Sequence, residues 1–105
     1  MLESIFKSKL IKDLRLLFPE CVIFHNDPND IQGMPDLLIL YKNKWAALEC
    51  KRSSYSEHRP NQEYYIDVLN QMSYASFIYP GNKEAVLDEL QFAFNSRRAT
   101  CISKC

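Results

Sequence analysis

Glycine is scarce in this chain, and so are histidine and long apolar runs. Its 105 residues include two glycines, Gly33 and Gly81, and two histidines. Two separated glycines do not supply the glycine-rich loop that cradles nucleotide phosphates. No apolar run approaches the roughly 18 residues needed to cross a bilayer, so no membrane association is expected. These absences exclude proteins that bind nucleotide phosphates through a glycine-rich loop and proteins that span a membrane.

The four cysteines form no metal-binding motif. They are widely spaced without a Cys-x-x-Cys pair, and two histidines are too few to complete a typical zinc site. Cys21 and Cys50 lie in apolar stretches, where a free cysteine behaves as a small buried hydrophobe. Cys101 and Cys105 lie in a polar tail and are expected to be free and exposed. Neither a nucleophile elbow nor a Cys-His catalytic pair is present.

Net charge is also absent, because 13 basic residues balance 13 acidic ones. This balance is a mild argument against a nucleic-acid partner, whose usual mark is a basic surface. The charges are uneven, however, because Lys51, Arg52, His58 and Arg59 cluster around one loop. What the chain does have is an ordinary globular composition, with 47% apolar and 25% charged residues. Its length suffices for one domain with a modest core. Since the first residues lack a signal-peptide core, an intracellular location is expected.

Apolar spacing predicts three helices and four strands in the order α-β-β-β-α-β-α. The first helix runs from about Glu3 to Phe18, and Pro19 ends it. Short apolar runs bounded by turn residues predict strands at Cys21–Phe24, Leu37–Tyr41, Trp45–Cys50 and Ala75–Tyr79.

The second helix is predicted from Gln62 to Met72, with Pro60 in its first turn and a buried face of Tyr65, Ile66, Leu69 and Met72. Asn82 is the expected cap of the final helix. A strand reached from a hairpin through a helix requires a crossover, so we expect an α/β fold with a mixed sheet flanked by helices. Residues 1–95 form one domain in this interpretation, and 96–105 form a loosely held tail.

A pair of carboxylates at the end of the predicted hairpin is the most informative feature of the sequence. If the hairpin turns on a two-residue loop at 42–43, Tyr41 pairs with Lys44, and Asp36 pairs with Glu49. Directly opposed residues have Cβ atoms roughly 5 Å apart. Two carboxylates that close repel each other unless a proton or cation intervenes. A divalent metal with oxygen ligands is the natural occupant of such a site.

Two short motifs separated by a mostly apolar run resemble the signature of the PD-(D/E)xK nuclease superfamily. They are Pro35-Asp36 and Glu49-Cys50-Lys51. More narrowly, the run from Gly33 to Gln62 resembles the virus-type replication-repair nuclease (VRR-NUC) family through Gly-x-Pro-Asp, Glu-x-Lys and Pro60-Asn61-Gln62. The chain is similar to a stand-alone, phage-like member of that family.

The resemblance implies a restriction-endonuclease-like core and a metal-dependent DNA endonuclease that hydrolyses phosphodiesters. It implies a structure-selective enzyme that acts on branched DNA, such as four-way junctions, as a homodimer. Its location would be the host-cell cytoplasm if the protein is viral. Aromatic residues beyond the needs of one small core also favour a dimer interface. These residues are Phe92, Tyr64, Tyr74 and Tyr79.

The resemblance also assigns roles to individual residues. Asp36, Glu49 and the backbone carbonyl of Cys50 would hold Mg²⁺ or Mn²⁺, and a first-helix acid such as Glu3 would add a ligand. Lys51 would assist the attacking water or stabilise the pentavalent phosphate, and Gln62 would lie beside the site. Arg52, His58 and Arg59, in the loop after the second hairpin strand, are candidate contacts to DNA phosphates.

Each of these assignments has a plainer alternative. Asp36 could be a turn residue, and Glu49 could form a salt bridge with Lys51. Gln62 could face water at the start of its helix, and Glu3 could be an ordinary first-turn acid. The basic loop could be a solvated surface. Two other functions also remain open: a non-catalytic interaction module with a nuclease fold, and a restriction-type, sequence-specific endonuclease.

Overall fold

Three helices and four strands make up the computed structural model, which describes residues 2–27 and 30–95. The elements are α1 (Glu3–Leu17), β1 (Val22–His25), β2 (Leu37–Tyr41), β3 (Lys44–Cys50), α2 (Gln62–Met72), β4 (Tyr74–Ile78) and α3 (Lys83–Asn95). The predicted order is confirmed, and the predicted bounds differ from these by a residue at most. The tail predicted at 96–105, with Cys101 and Cys105, lies outside the described residues.

The four strands form one mixed sheet in the order β1-β2-β3-β4. β2 pairs antiparallel with β1 and with β3, whereas β3 and β4 are parallel. A parallel pair needs a crossover connection, and α2 provides it. The protein is therefore a small α/β domain, as predicted. Among the described residues, no helix combines the length and apolar character needed to cross a membrane.

One face of the sheet packs against α1 and α3 and forms the hydrophobic core. The helices contribute Phe6, Leu10, Leu14, Val86, Leu90 and Phe94, and the sheet contributes Leu37, Ile39, Ala46, Leu48, Cys50 and Ile78. The ring of Phe18, which follows α1, meets the Phe94 ring edge-on with centroids 5.0 Å apart. An ion pair between Asp13 and Lys83 also joins the two helices. Cys21 and Cys50 are free and buried, as predicted.

The opposite face carries α2. Side chains alternate between the two faces of a strand, so Glu49 points away from its core-facing neighbours Leu48 and Cys50 and towards α2. The helix lies over β3 and β4. On β1, far from α2, Val22 and Phe24 are 51% and 50% exposed.

Two details of the predicted second helix are wrong. Met72 is 67% exposed rather than buried, because α2 covers only part of the sheet. Pro60 lies before the helix rather than in its first turn, since Asn61 takes a left-handed conformation (φ 70°) and the helix begins at Gln62.

Asn82 precedes α3 as predicted, and its carbonyl accepts a hydrogen bond from the Val86 N–H at 2.9 Å. Its side chain acts on the preceding strand instead of the helix. Its Oδ1 accepts a bond from the Tyr79 N–H at 2.8 Å, and its amide nitrogen donates to the Phe77 carbonyl at 3.1 Å.

Candidate functional site

The register of the β2–β3 hairpin brings Asp36 and Glu49 together. Tyr41 pairs with Lys44 across the predicted two-residue turn, and the ladder continues to Leu37 opposite Leu48. Asp36 lies one residue before β2, and the same register places it opposite Glu49. The Asp36 N–H donates to Glu49 Oε1 at 3.1 Å. The two residues therefore contact each other as the sequence predicts.

A second hydrogen bond ties Asp36 to β3. The N–H of Cys50 donates to Asp36 Oδ1 at 3.1 Å. The Cys50 backbone thus lies beside the Asp36 carboxylate, while its side chain is fully buried in the core. Burial raises the pKa of the Cys50 thiol well above its ordinary value, so the thiol stays neutral. The Cys50 N–H thus contacts Asp36 while its sulfur packs in the core. The predicted role of the Cys50 carbonyl as a metal ligand stays a prediction.

Glu49 is a buried carboxylate with an unusual affinity for protons. The residue is 7% exposed. Burial, together with the negative charge of Asp36, raises the pKa of Glu49 to about 7, although Lys51 opposes the rise. Desolvation and a like charge both disfavour the ionised form. A proton or an added cation would therefore stabilise this pair of carboxylates at neutral pH.

Lys51 is held on the same face by two hydrogen-bond acceptors and a nearby carboxylate. Its Nζ donates to Gln62 Oε1 at 2.8 Å and to the Glu57 carbonyl at 3.1 Å, and it lies 3.9 Å from Glu49 Oε2. The residue is 6% exposed. The salt bridge with Glu49 exists, but it is the longest of the three contacts. A plain salt bridge therefore does not account for the position of this ammonium group.

Gln62 connects the two charged residues. Its Nε2 donates to Glu49 Oε2 at 3.0 Å, and its Oε1 accepts bonds from Lys51 Nζ at 2.8 Å and from the Arg59 N–H at 2.8 Å. The residue is 6% exposed, so the alternative of a water-facing glutamine is wrong. Its amide orients a carboxylate and an ammonium group at once.

The Gly-x-Pro-Asp and Pro-Asn-Gln segments touch each other through Gly33 and Asn61. Gly33 has φ 94°, a conformation that side-chain-bearing residues rarely adopt. A Cβ atom on Gly33 would lie 2.6 Å from Asn61 Cβ and 2.7 Å from the Asn61 carbonyl carbon. Pro35 is buried, and its carbonyl accepts a hydrogen bond from the Asn26 side chain at 2.5 Å. The glycine permits a backbone contact that sets the start of α2, and hence Gln62.

These side chains line a cavity of about 670 Å³ at one end of the sheet. Its walls include Asp36, Glu49, Lys51 and Gln62, together with Glu3, Lys7 and Arg59. The structure thus gathers all four predicted catalytic residues, with Arg59 and Glu3 at the same opening.

Lys7 is a member of this site that the sequence reasoning missed. Its Nζ lies 2.7 Å from Asp36 Oδ2. Partial burial acts to lower the pKa of Lys7, but its hydrogen bond and ion pair with Asp36 outweigh burial and raise that pKa above its ordinary value. One signal was available: Lys7, Leu10 and Leu14 lie on one helical line, at i, i+3 and i+7. A cation on the core-facing line of a helix needs a partner of opposite charge.

Other predicted residues lie farther from the carboxylate pair. Glu3 is exposed at the first turn of α1 and lines the cavity without forming a three-carboxylate cluster. Among residues 2–27 and 30–95, no group of three His, Cys, Asp or Glu side chains is arranged to hold a metal ion. Arg52 is exposed beside Glu3, where both line a shallow groove.

His58 is engaged with protein partners rather than facing the cavity. Its Nδ1 lies 2.9 Å from Glu63 Oε2, and its ring stacks on Phe77 with centroids 4.1 Å apart. His58 is exposed all the same, like Arg52 and Arg59. The predicted basic loop therefore presents these three side chains to solvent.

No family model matches this chain, and neither a curated protein nor a solved structure matches it. What the protein does is therefore inferred from the residues and geometry of the site itself.

Proposed function

We propose that this protein is a Mg²⁺- or Mn²⁺-dependent endonuclease that hydrolyses phosphodiester bonds in DNA, built on a restriction-endonuclease-like core of the VRR-NUC type. One observation carries the proposal: Asp36, Glu49, Lys51 and Gln62 form a hydrogen-bonded cluster at the open end of one hairpin. Such a cluster combines oxygen donors for a divalent ion with a fixed ammonium group.

The donor set suits Mg²⁺ or Mn²⁺. These ions prefer carboxylate and carbonyl oxygens, and Asp36 and Glu49 supply two carboxylates beside the Cys50 backbone. The raised pKa of Glu49 reflects burial and a neighbouring negative charge, which a divalent ion would offset. Glu3 lines the same cavity and is the candidate for a further carboxylate, acting directly or through water.

The protein groups have distinct roles in this mechanism. When bound, the ion lowers the pKa of a water molecule and polarises the scissile phosphate. Lys51 places a positive charge where negative charge develops on the phosphate, and its contacts with Gln62 and Glu57 hold it there before the substrate binds. Gln62 keeps Glu49 and Lys51 in a fixed relation.

Arg52, His58 and Arg59 contact the DNA backbone in this proposal. Arg59 lines the cavity, and Arg52 lies in the adjoining groove with Glu3. Contacts to phosphates add affinity without sequence preference. Because the small core leaves no spare segment to read base edges, DNA shape is the better candidate for selection. The proposed substrates are branched or flapped DNAs, including four-way junctions.

A cleavage assay tests the function. Wild-type protein and the variants Asp36→Asn and Lys51→Met would be incubated with linear, flapped and four-way DNAs in Mg²⁺, Mn²⁺ or EDTA. Lys44→Met, at the turn end of β3, is the matched control. The wild type and the control should cut, with metal, at least one branched DNA, and the two site variants should lose about 100-fold or more in rate.

Circular dichroism would establish that each variant is folded. Failure of the wild type to cut any DNA with either ion would overturn the proposal, and full activity in Lys51→Met would overturn the role of that lysine.

The working unit in this proposal is a homodimer. Two sites are needed to cut two strands of a junction, and two-fold symmetry supplies them. The described surface offers apolar side chains for such a contact: Phe92 is 73% and Tyr64 is 62% exposed. Tyr74 is a weaker candidate, since it is half-buried and its hydroxyl donates to Glu89 at 2.6 Å. Light scattering across a concentration series tests whether the protein is a dimer. A fully active monomer at every concentration would exclude the homodimer as the working unit.

A further inference from the structure

Both carboxylate oxygens of Asp36 are already engaged by protein groups. Oδ1 accepts the Cys50 N–H at 3.1 Å, and Oδ2 lies 2.7 Å from the Lys7 ammonium group. The Oδ2 contact joins two partly exposed side chains, Lys7 at 26% and Asp36 at 22%. Water can therefore reach the pair. A divalent ion that binds Asp36 through Oδ2 must therefore compete with the Lys7 ammonium group for that oxygen.

We propose that Lys7 is a built-in counter-cation: it holds Asp36 in the metal-free protein, competes with the divalent ion for that carboxylate, and is released towards a DNA phosphate when the ion binds. The inference rests on the proposed function and concerns how the same site is regulated.

The two lysines of the cavity differ in a way that suits these separate roles. Lys51 is buried and has Gln62, Glu57 and Glu49 around its ammonium group. Among the residues that the structure describes, Asp36 is the acceptor for Lys7. A lysine stem has four flexible carbons and a strongly hydrated head, so its ammonium group can move when an ion takes its partner. Lys51 is fixed, whereas Lys7 is exchangeable.

The surroundings indicate where a released ammonium group would go. Lys7 and Arg59 line the same cavity as the carboxylate pair. A DNA phosphate placed in that cavity would attract both cations, because the nearby carboxylates would be neutralised by the ion. Metal and DNA would then favour each other's binding. Such coupling is reciprocal and commonly amounts to about 5- to 150-fold in affinity.

Calorimetric titration of the full chain with Mn²⁺, in the absence of DNA, tests the competition. Lys7→Met keeps the apolar stem but removes the charge, and Lys7→Arg keeps the charge. Lys12→Met removes an exposed lysine of the same helix and controls for net charge. Lys7→Met should bind Mn²⁺ at least about five-fold more tightly than the wild type. Lys7→Arg and Lys12→Met should bind as the wild type does.

Fluorescence anisotropy of a labelled four-way DNA, in Ca²⁺ and in EDTA, tests the release. Ca²⁺ takes the same oxygen ligands. It should raise the DNA affinity of the wild type by a larger factor than that of Lys7→Met. An equal factor in both proteins would overturn the release of Lys7 to the phosphate.

The outcomes separate this inference from the proposed function. If wild type and Lys7→Met bind Mn²⁺ equally, or if Lys7→Met binds more weakly, the counter-cation role is wrong while the metal site stands. If neither protein binds Mn²⁺, the proposed function fails and the inference fails with it. A thermal melt of each variant establishes that it is folded. If Lys7→Arg bound Mn²⁺ more tightly than the wild type, the role of positive charge at position 7 would also be contradicted.

Discussion

Lys51 Nζ donates a hydrogen bond to Gln62 Oε1 at 2.8 Å, and this contact joins the end of β3 to the start of α2. The same glutamine donates to Glu49, so one neutral side chain orients two opposite charges. A glutamine can do this because its amide carries both an acceptor and a donor. Neither a carboxylate nor an ammonium group at position 62 could replace it.

Gln62→Leu should destabilise the protein and reduce cleavage. The substitution removes one hydrogen bond each from the Lys51 ammonium group, the Glu49 carboxylate and the Arg59 N–H. We expect a loss of about 2–3 kcal/mol in the free energy of unfolding and at least a ten-fold lower cleavage rate. Urea unfolding and the cleavage assay measure these effects. Gln71→Leu, an exposed position of the same helix, is the control, and equal urea midpoints for the two variants would contradict the prediction.

Glu49→Gln should alter how stability depends on pH. In the folded protein the pKa of Glu49 is about 7, against an ordinary value of 4.5. Between these values the folded state keeps a proton that the unfolded state has released, so the contribution of Glu49 to stability falls as pH rises through this window. Wild type should therefore lose stability relative to Glu49→Gln from about pH 4.5 to about pH 7.

Thermal melts in EDTA at several pH values, with the exposed Glu84→Gln as control, measure this difference. Parallel pH profiles for wild type and Glu49→Gln would show that the carboxyl is not perturbed.

Gly33→Ala should be far more harmful than Gly81→Ala. At Gly33 a methyl group would meet the Asn61 backbone and the residue would keep an unfavourable φ of 94°. At Gly81 the nearest atom is a Tyr79 ring carbon at 3.1 Å, on a side chain that can shift. We expect a loss of about 1–3 kcal/mol for Gly33→Ala and a much smaller change for Gly81→Ala. Chemical denaturation measures both, and equal losses would contradict the proposed contact.

Replacing Arg52 and Arg59 together by Ala should weaken DNA binding and flatten its dependence on salt. Each lost phosphate contact lowers the slope of log affinity against log salt by about 1. Anisotropy titrations at several salt concentrations give the slope. The double variant Lys9→Ala and Lys12→Ala, on the exposed surface of α1, controls for the change in charge. A slope equal to that of the wild type would show that the loop does not contact DNA.

The hairpin register could be predicted from the sequence for a simple physical reason. A two-residue turn leaves one way to pair the flanking strands, and a slip by one residue would turn the buried side chains of β2 and β3 to the wrong face. That logic placed Asp36 opposite Glu49. The order of helices and strands followed from apolar spacing in the same way.

Two of the errors, at Met72 and Lys7, concern contacts between distant segments, and the error at Asn82 is local. Met72 fits the apolar line of α2, but its burial depends on how much of the sheet the helix covers. Lys7 was missed because its partner, Asp36, lies on another element and is set by the packing of α1 against the sheet. The side chain of Asn82 turned to β4 rather than to α3, a choice between two local partners that the sequence does not decide.

The loop between β3 and α2 is anchored at both ends. The Lys51 N–H donates to the Ile78 carbonyl at 2.9 Å, and Asn61 packs on Gly33. Between these anchors Tyr55 is 95% exposed. Lengthening a loop whose ends are already fixed costs little conformational entropy. The tip around Tyr55 is thus a place where evolution, or an engineer, could graft a longer recognition segment without displacing Lys51 or Gln62.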